Sequence, residues 1–268
     1  MTSSLRKLPA TARPAMQPAL PMKDIKGGAE RVLFVLATLA KLERSVSMTD
    51  LVAATGLPQS TLYRQLALLK RWGFVIDNNN EYSPGPMCLP LAWGFDQSSF
   101  LIQAAHTELK ALAKASGESI GLLVTVKNQA VCLDMIESLQ PLRCSFVKGR
   151  SLPLSKGASA KALLAFMGTP QRAAALEWLC REQITGPQES ADLEAELDRI
   201  RAQGYAITDS EVDVGVWGIS APIFQQARHA AAVVSLMAPN TRINNRTQSF
   251  IDMTVRVASR ISSRLQSL

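Results

Sequence analysis

The chain has 268 residues, 29 Lys and Arg against 22 Asp and Glu for a net charge of +7, and 47% hydrophobic residues. That length exceeds one typical domain, and the composition is that of a globular protein able to bury real cores. No apolar run approaches the ~20 residues that a bilayer-spanning helix needs, so no membrane partner is expected.

Two further counts narrow the reading. Cys88, Cys132, Cys144 and Cys180 stand far apart with no C-x-x-C pair, a spacing that fits neither a zinc site nor a small disulfide scaffold and favours free thiols in a cytoplasmic protein. The charge excess is also uneven. Residues 1–95 hold 11 basic and 6 acidic residues, while the remainder is close to balanced. Positive charge thus gathers in the first third, where it draws a polyanion.

Residues 1–23 contain Pro9, Pro14, Pro18 and Pro21, which interrupt any signal-like apolar region, so a flexible tail is expected. Leu33, Leu36, Ala37 and Ala40 then recur at helical spacing. In "SVSMTDLVAATG", Ser47 and Asp50 have the spacing of a capping box, and Gly56 suits a tight turn. A third helix follows, with Pro58 in its first turn and Leu62, Leu66 and Leu69 forming a core-facing stripe. Three helices with a Gly-bearing turn between the last two form the helix-turn-helix pattern. "FVIDNNNEYS" adds strand, turn and strand, with Asp77–Asn80 as the turn, and reads as the wing of a winged helix.

The polar side of the third helix carries the chemistry. Residues 59, 60, 63, 64 and 67 share one face opposite the leucines. A small polar face at a helix start can approach base edges in a major groove. Arg64 can donate two bonds to guanine and Gln59 can pair with adenine. Ser60, Thr61 and Tyr63 offer hydroxyls, while Lys70 and Asn79 of the wing turn are candidate phosphate contacts. An ordinary solvated helix also has a polar face; the capping box, the turn, the wing and the local charge together favour double-stranded DNA.

Residues 24–90 are therefore read as a winged helix-turn-helix domain and 91–116 as a linker helix, with a stripe of Leu101, Ala105, Leu109 and Leu112 ending at Gly117. Residues 117–268 mix strands and helices without regular alternation, so the whole is α+β. "SIGLLVTVKNQAVCLDMIES" reads as a hairpin and "QPLRCSFV" as a third strand. "GASAKALLAFM", "RAAALEWLCRE" and "SADLEAELDRIRAQG" read as helices. "YAITDSEVD", "WGISAPIF" and "AAAVVSLMAP" read as strands, before a last amphipathic helix. No metal-ligand cluster, G-x-S-x-G elbow or P-loop is present, so neither an enzyme nor a cofactor is expected.

Four stretches, "TGLPQSTLYRQLALLKRWGFV", "LPLSKGASAKALLAF", "RAQGYAITDSEVDVGVWGISAPI" and "SLMAPNTRI", stand in the order and spacing of the IclR-family transcriptional regulators, which the chain resembles. The resemblance covers nearly the whole chain after the tail. It implies a GAF-like C-terminal domain that binds a small organic acid effector, and homodimers or homotetramers on palindromic operators. It places effector contacts at Ala158 and Ser159, at Asp209 and the segment through Gly218, and at Ser235 and Met237; within that segment Trp217 either lines the pocket or packs outside it. Gly218, Met237 and Ala160 depart from the family's usual Cys, small hydroxyl residue and Gly. Fewer polar side chains and a polarizable Met imply a more apolar ligand, an aromatic or longer-chain acid. The alternative is a DNA-binding regulator whose C-terminal domain only oligomerises.

Overall fold

The computed structural model describes residues 27–42, 44–226 and 229–267. The expected flexible tail, residues 1–23, lies outside them. The chain parts into two compact units between Pro90 and Leu91.

The first unit runs α1 (Gly28–Leu42), β1 (Val46–Ser47), α2 (Met48–Thr55), α3 (Gln59–Arg71), β2 (Val75–Asn78) and β3 (Glu81–Pro84). Its core joins Phe34, Val35 and Leu39 of α1 to Leu51 of α2 and to Leu62, Leu66 and Leu69 of α3. The capping box forms as its spacing predicts: the Ser47 hydroxyl accepts from Asp50 N–H, and the Asp50 carboxylate accepts from Ser47 N–H, both at 3.1 Å. Gly56 closes α2 at φ +66°, a left-handed conformation that costs glycine little. Pro58 is the cap before α3, not a residue of its first turn. The hairpin turn is tighter than expected, since β2 keeps Asp77 and Asn78 and only Asn79 and Asn80 turn, at φ 55° and 65°. Two consecutive left-handed residues make the turn whose twist matches paired strands, and Asn tolerates that conformation. The strand order β1-β3-β2 places this wing against the start of α2.

The predicted single linker helix is two helices, α4 (Cys88–Ser98) and α5 (Phe100–Ser116). Ser99 separates them because its hydroxyl accepts from Ile102 N–H and caps α5. Gly117, left-handed, ends α5.

The second unit is an antiparallel sheet of six strands in the order β6-β5-β4-β9-β8-β7. These are β4 (Ser119–Val126), β5 (Gln129–Ile136), β6 (Ser151–Pro153), β7 (Ala206–Asp209), β8 (Val216–Gln226) and β9 (His229–Pro239). One face buries α5 and α9 (Thr247–Gln266), packed on Ile120, Leu122, Trp217, Ile219 and Leu236. The other buries α6 (Ala158–Ala165), α7 (Thr169–Arg181) and α8 (Pro187–Gln203) on Leu123, Cys132, Ala206 and Val233. The chain is thus α+β, as its element order predicts.

"QPLRCSFV" is not a strand. Pro141 has no N–H to give a ladder, and the β5 edge is already paired with β6 through Gln129–Val131. Side chains hold the segment as a loop. Arg242 donates to Leu142 C=O at 2.8 Å, and the Glu137 carboxylate accepts from Arg143 and Ser145.

Candidate functional site

Helix α3 divides as its pattern requires. Leu62, Gln65, Leu66 and Leu69 are buried, while Gln59, Ser60, Tyr63, Arg64 and Ala67 are exposed on the opposite side. Gln59 Nε2 donates to the Tyr63 hydroxyl at 3.3 Å, one turn apart. Thr61 does not join this face. Its side chain is buried beside Leu62, because one step around the helix from Ser60 turns it toward the core. Lys70 is exposed, but its ammonium reaches Asp77 of the wing at 2.7 Å, tying α3 to the hairpin. That bond draws the Asp77 carboxyl below its usual range and lifts the Lys70 ammonium above its own. Asn79 lies exposed at the wing tip.

In the second unit, a cavity of about 470 Å³ opens between the start of α6, strands β8 and β9, and the loops 142–146 and 212–216. Its floor carries hydroxyls among small side chains, and its mouth mixes apolar side chains with Arg143 and Asp213. Gly218 and Ser220 of β8 and Ser235 and Met237 of β9 share one sheet face, because strand side chains alternate. Ala158 and Ser159 of α6 and Thr208 of β7 complete the floor, while Leu142, Phe146, Val212 and Val214 wall the mouth.

The α6 N-terminus is partly committed. Gly157 N–H donates to Glu211 Oε2 at 3.1 Å, and Ala158 N–H to the Thr208 hydroxyl at 3.0 Å. Lys161 N–H makes the first intrahelical bond, back to Gly157 C=O. The N–H groups of Ser159 and Ala160 therefore lie in the first turn, where a helix supplies no acceptor. The buried Lys161 ammonium is engaged by both Glu196 oxygens, at 2.9 and 2.8 Å, and by Glu211 at 2.6 Å. It stiffens the floor and is not a free cation for a ligand. The Ser220 and Ser235 hydroxyls, both buried, bond to each other at 2.7 Å.

The structure brings Ala158, Ser159, Gly218, Ser235 and Met237 together around this cavity and leaves two expected residues out. Asp209 is exposed and bonded to the Ser210 hydroxyl at 2.8 Å. Alternation along β7 turns Thr208, its neighbour, toward α6 instead. Trp217 is buried on the opposite sheet face, its ring 6.1 Å from that of Phe250. Thr208 and Ser220 escape the sequence reading although each is legible from a neighbour. Ser220 stands two residues beyond Gly218, on the same face. Leu142 and Phe146 escape it because their segment has the apolar character of a strand. Cys144 lines the cavity as a free thiol, and burial pushes its pKa up.

Among the described residues, no group of His, Cys, Asp and Glu could hold a metal ion, and no helix is long and apolar enough to cross a membrane. The winged helix-turn-helix of the first unit defines the class of DNA-binding proteins, and the second unit adds a cavity-bearing antiparallel domain. Residues 28–76 match the IclR helix-turn-helix domain, and residues 96–263 match the family described as bacterial transcriptional regulator IclR C-terminal. The chain belongs to the IclR family; it is a DNA-binding transcriptional regulator and not an enzyme. It is 26% identical to the transcriptional repressor IclR of Escherichia coli over 267 residues, covering 95% of this chain and 96% of that protein. It is 27% identical to the E. coli regulator KdgR, covering 88% and 91%. The solved structure of an IclR family transcriptional regulator from Brucella abortus shares the fold with a TM-score of 0.77, at 19% identity, covering 88% of this chain and 92% of that one.

Proposed function

We propose that this regulator's DNA affinity is set by a small organic acid bound in the cavity of the second unit. The observation that carries this reading is the cavity itself: a volume within the range of ligand sites, with Leu142, Phe146, Val212 and Val214 beside Arg143 and Asp213 at its mouth and amide and hydroxyl donors at its floor. A domain that only oligomerised would have no need of such a space. The carboxylate sits on the Ser159 and Ala160 amides, at the positive end of the α6 dipole.

The exposed polar face of α3 reads the major groove. Arg64 and Gln59 reach base edges, and Ser60, Tyr63, Lys70 and Asn79 meet base edges or phosphates. The regulator works as a homodimer on a palindromic operator, with reading helices about one DNA turn, ~34 Å, apart, and dimers can pair again. Leu89, Leu91 and Phe95 of α4 support a partner copy, because each is at least half exposed in the single chain and an apolar helix face of this kind marks an association surface. GAF-like ligand binding in the second unit then biases how the paired copies set the two reading helices. The ligand can do so only through a difference in its affinity for the two arrangements. The protein acts in the cytoplasm, with its DNA.

Selection of random duplex DNA against the purified protein tests the DNA half. An enriched palindrome with half-sites a helical turn or more apart is expected. Binding that enriches nothing and vanishes as salt rises would reduce the interaction to charge attraction.

A further inference from the structure

Resting on the acid-binding reading above, we infer that the cavity selects a monocarboxylate with an apolar, ring-sized body and no amino group, and that Gly218 sets the depth at which its carboxylate sits. Four observations carry this.

The floor offers donors. The Ser159 and Ala160 N–H groups have no helical acceptor. Thr208 spends an oxygen lone pair on Ala158 N–H and keeps its own proton. The Ser220–Ser235 pair contains two hydroxyl protons, and their mutual bond uses one. The other belongs to a hydroxyl that is fully or almost fully buried at the cavity floor, where an unused donor is costly. An incoming oxygen acceptor finds donors here from the Ser159 amide and from the Thr208, Ser220 and Ser235 hydroxyls that line the cavity.

The floor offers no carboxylate to an ammonium. Glu211 is spent on Gly157 N–H and Lys161, and Asp213, the carboxylate among the lining residues, is exposed in the mouth loop. An amino group beside a ligand carboxylate seated on the floor would be drawn out of water with only the exposed Asp213 of the mouth loop as counter-charge, which costs more than the site returns.

Gly218 keeps the seat open. A Cβ on it would stand 3.8 Å from Ala158 Cβ and 3.9 Å from the Thr208 hydroxyl oxygen. Those are ordinary contacts, so a Cβ there meets no clash, and a larger side chain would extend from it into the space beside the α6 first turn. The fourth observation is size. About 470 Å³ walled by Phe146, Leu142, Val212, Val214 and Met237 far exceeds a two- or three-carbon acid and leaves an apolar body buried against apolar walls.

Calorimetry with 3-phenylpropanoate, phenylalanine and pyruvate tests this on the wild-type full chain and on the Gly218→Val and Phe146→Ala variants, each checked for a cooperative unfolding transition. Wild-type protein should bind 3-phenylpropanoate at least about tenfold more tightly than pyruvate, the return from burying the ring. It should bind phenylalanine at least about tenfold more weakly than 3-phenylpropanoate, since the added ammonium finds no counter-charge on the floor. Gly218→Val should weaken both non-amino acids, and Phe146→Ala 3-phenylpropanoate alone. Pyruvate binding as tightly as 3-phenylpropanoate, phenylalanine matching it, or a Gly218→Val protein that binds unchanged would each overturn the inference and leave the acid site standing. If no acid binds wild-type protein, the acid-site reading falls, and the inference with it.

Discussion

His106 Nδ1 of α5 lies 2.6 Å from Oδ2 of Asp134, a β5 carboxylate whose side chain is 2% exposed. An ionised carboxylate only accepts, so the histidine must donate. Lys148 meets the other oxygen, Oδ1, at 2.9 Å. Lys148 lies in the loop that continues from the cavity wall at 142–146, so one buried carboxylate ties that loop to α5. Arg242 makes a second tie: it bonds Leu142 C=O and pairs with the buried Glu118, just past the end of α5, at 2.6 Å.

Asp134 should also mark the acid limb of stability. Burial works to raise its pKa, but the His106 and Lys148 bonds outweigh it and hold the carboxyl below its usual range. A carboxyl depressed on folding stabilises the protein above its unfolded pKa, ~3.9, and that contribution is lost as pH falls through the folded value. Asp134→Asn should cost about 1–3 kcal/mol at pH 7 by chemical denaturation, since His106 and Lys148 are both partly exposed and can turn to water. The gap between variant and wild type should narrow as pH falls below ~3.9, and be smaller at pH 3 than at pH 7. A gap unchanged between the two pH values would mean the carboxylate's charge contributes nothing.

Trp217 separates packing from ligand binding. Its place against Phe250, across the sheet from the cavity, predicts that Trp217→Ala costs about 3–5 kcal/mol of folding stability. The milder Trp217→Phe should keep the ligand affinity of the wild type. A Trp217→Phe protein that folds normally but loses ligand would place the ring's influence inside the site.

The reading face makes a graded prediction. Arg64→Ala should cost about 1–3 kcal/mol of operator binding and relax preference at one base pair, whereas Lys70→Ala should weaken all sequences alike and lower the salt slope by about one. Thr61→Ser, a buried change, should leave sequence preference intact. Equal weakening of every sequence by Arg64→Ala would demote Arg64 to a phosphate contact.

Much of this is legible in the sequence wherever local chemistry decides. Ser47 and Asp50 can only satisfy each other at that spacing, and Ser47→Ala should accordingly cost about 1 kcal/mol in thermal or denaturant unfolding. The leucines of α3 and the apolar alternation of β8 likewise admit one arrangement. What stays hidden depends on partners distant in the chain. Which of Thr208 and Asp209 faces the cavity depends on the register of β7 against β8. The segment 140–147 is apolar enough for a strand, but the edge it would join is taken by Ser151–Pro153. Trp217 sits in a motif beside Gly218, yet a period of two sends neighbours to opposite faces.

The most direct test is the operator affinity of the full chain, at one fixed salt concentration, with and without saturating 3-phenylpropanoate, once calorimetry has shown that the acid binds. Filling the cavity should change the dissociation constant for DNA by about 5- to 150-fold, the usual span of coupling between two sites. An occupied cavity with an unchanged operator affinity would contradict the claim that the second unit governs DNA binding.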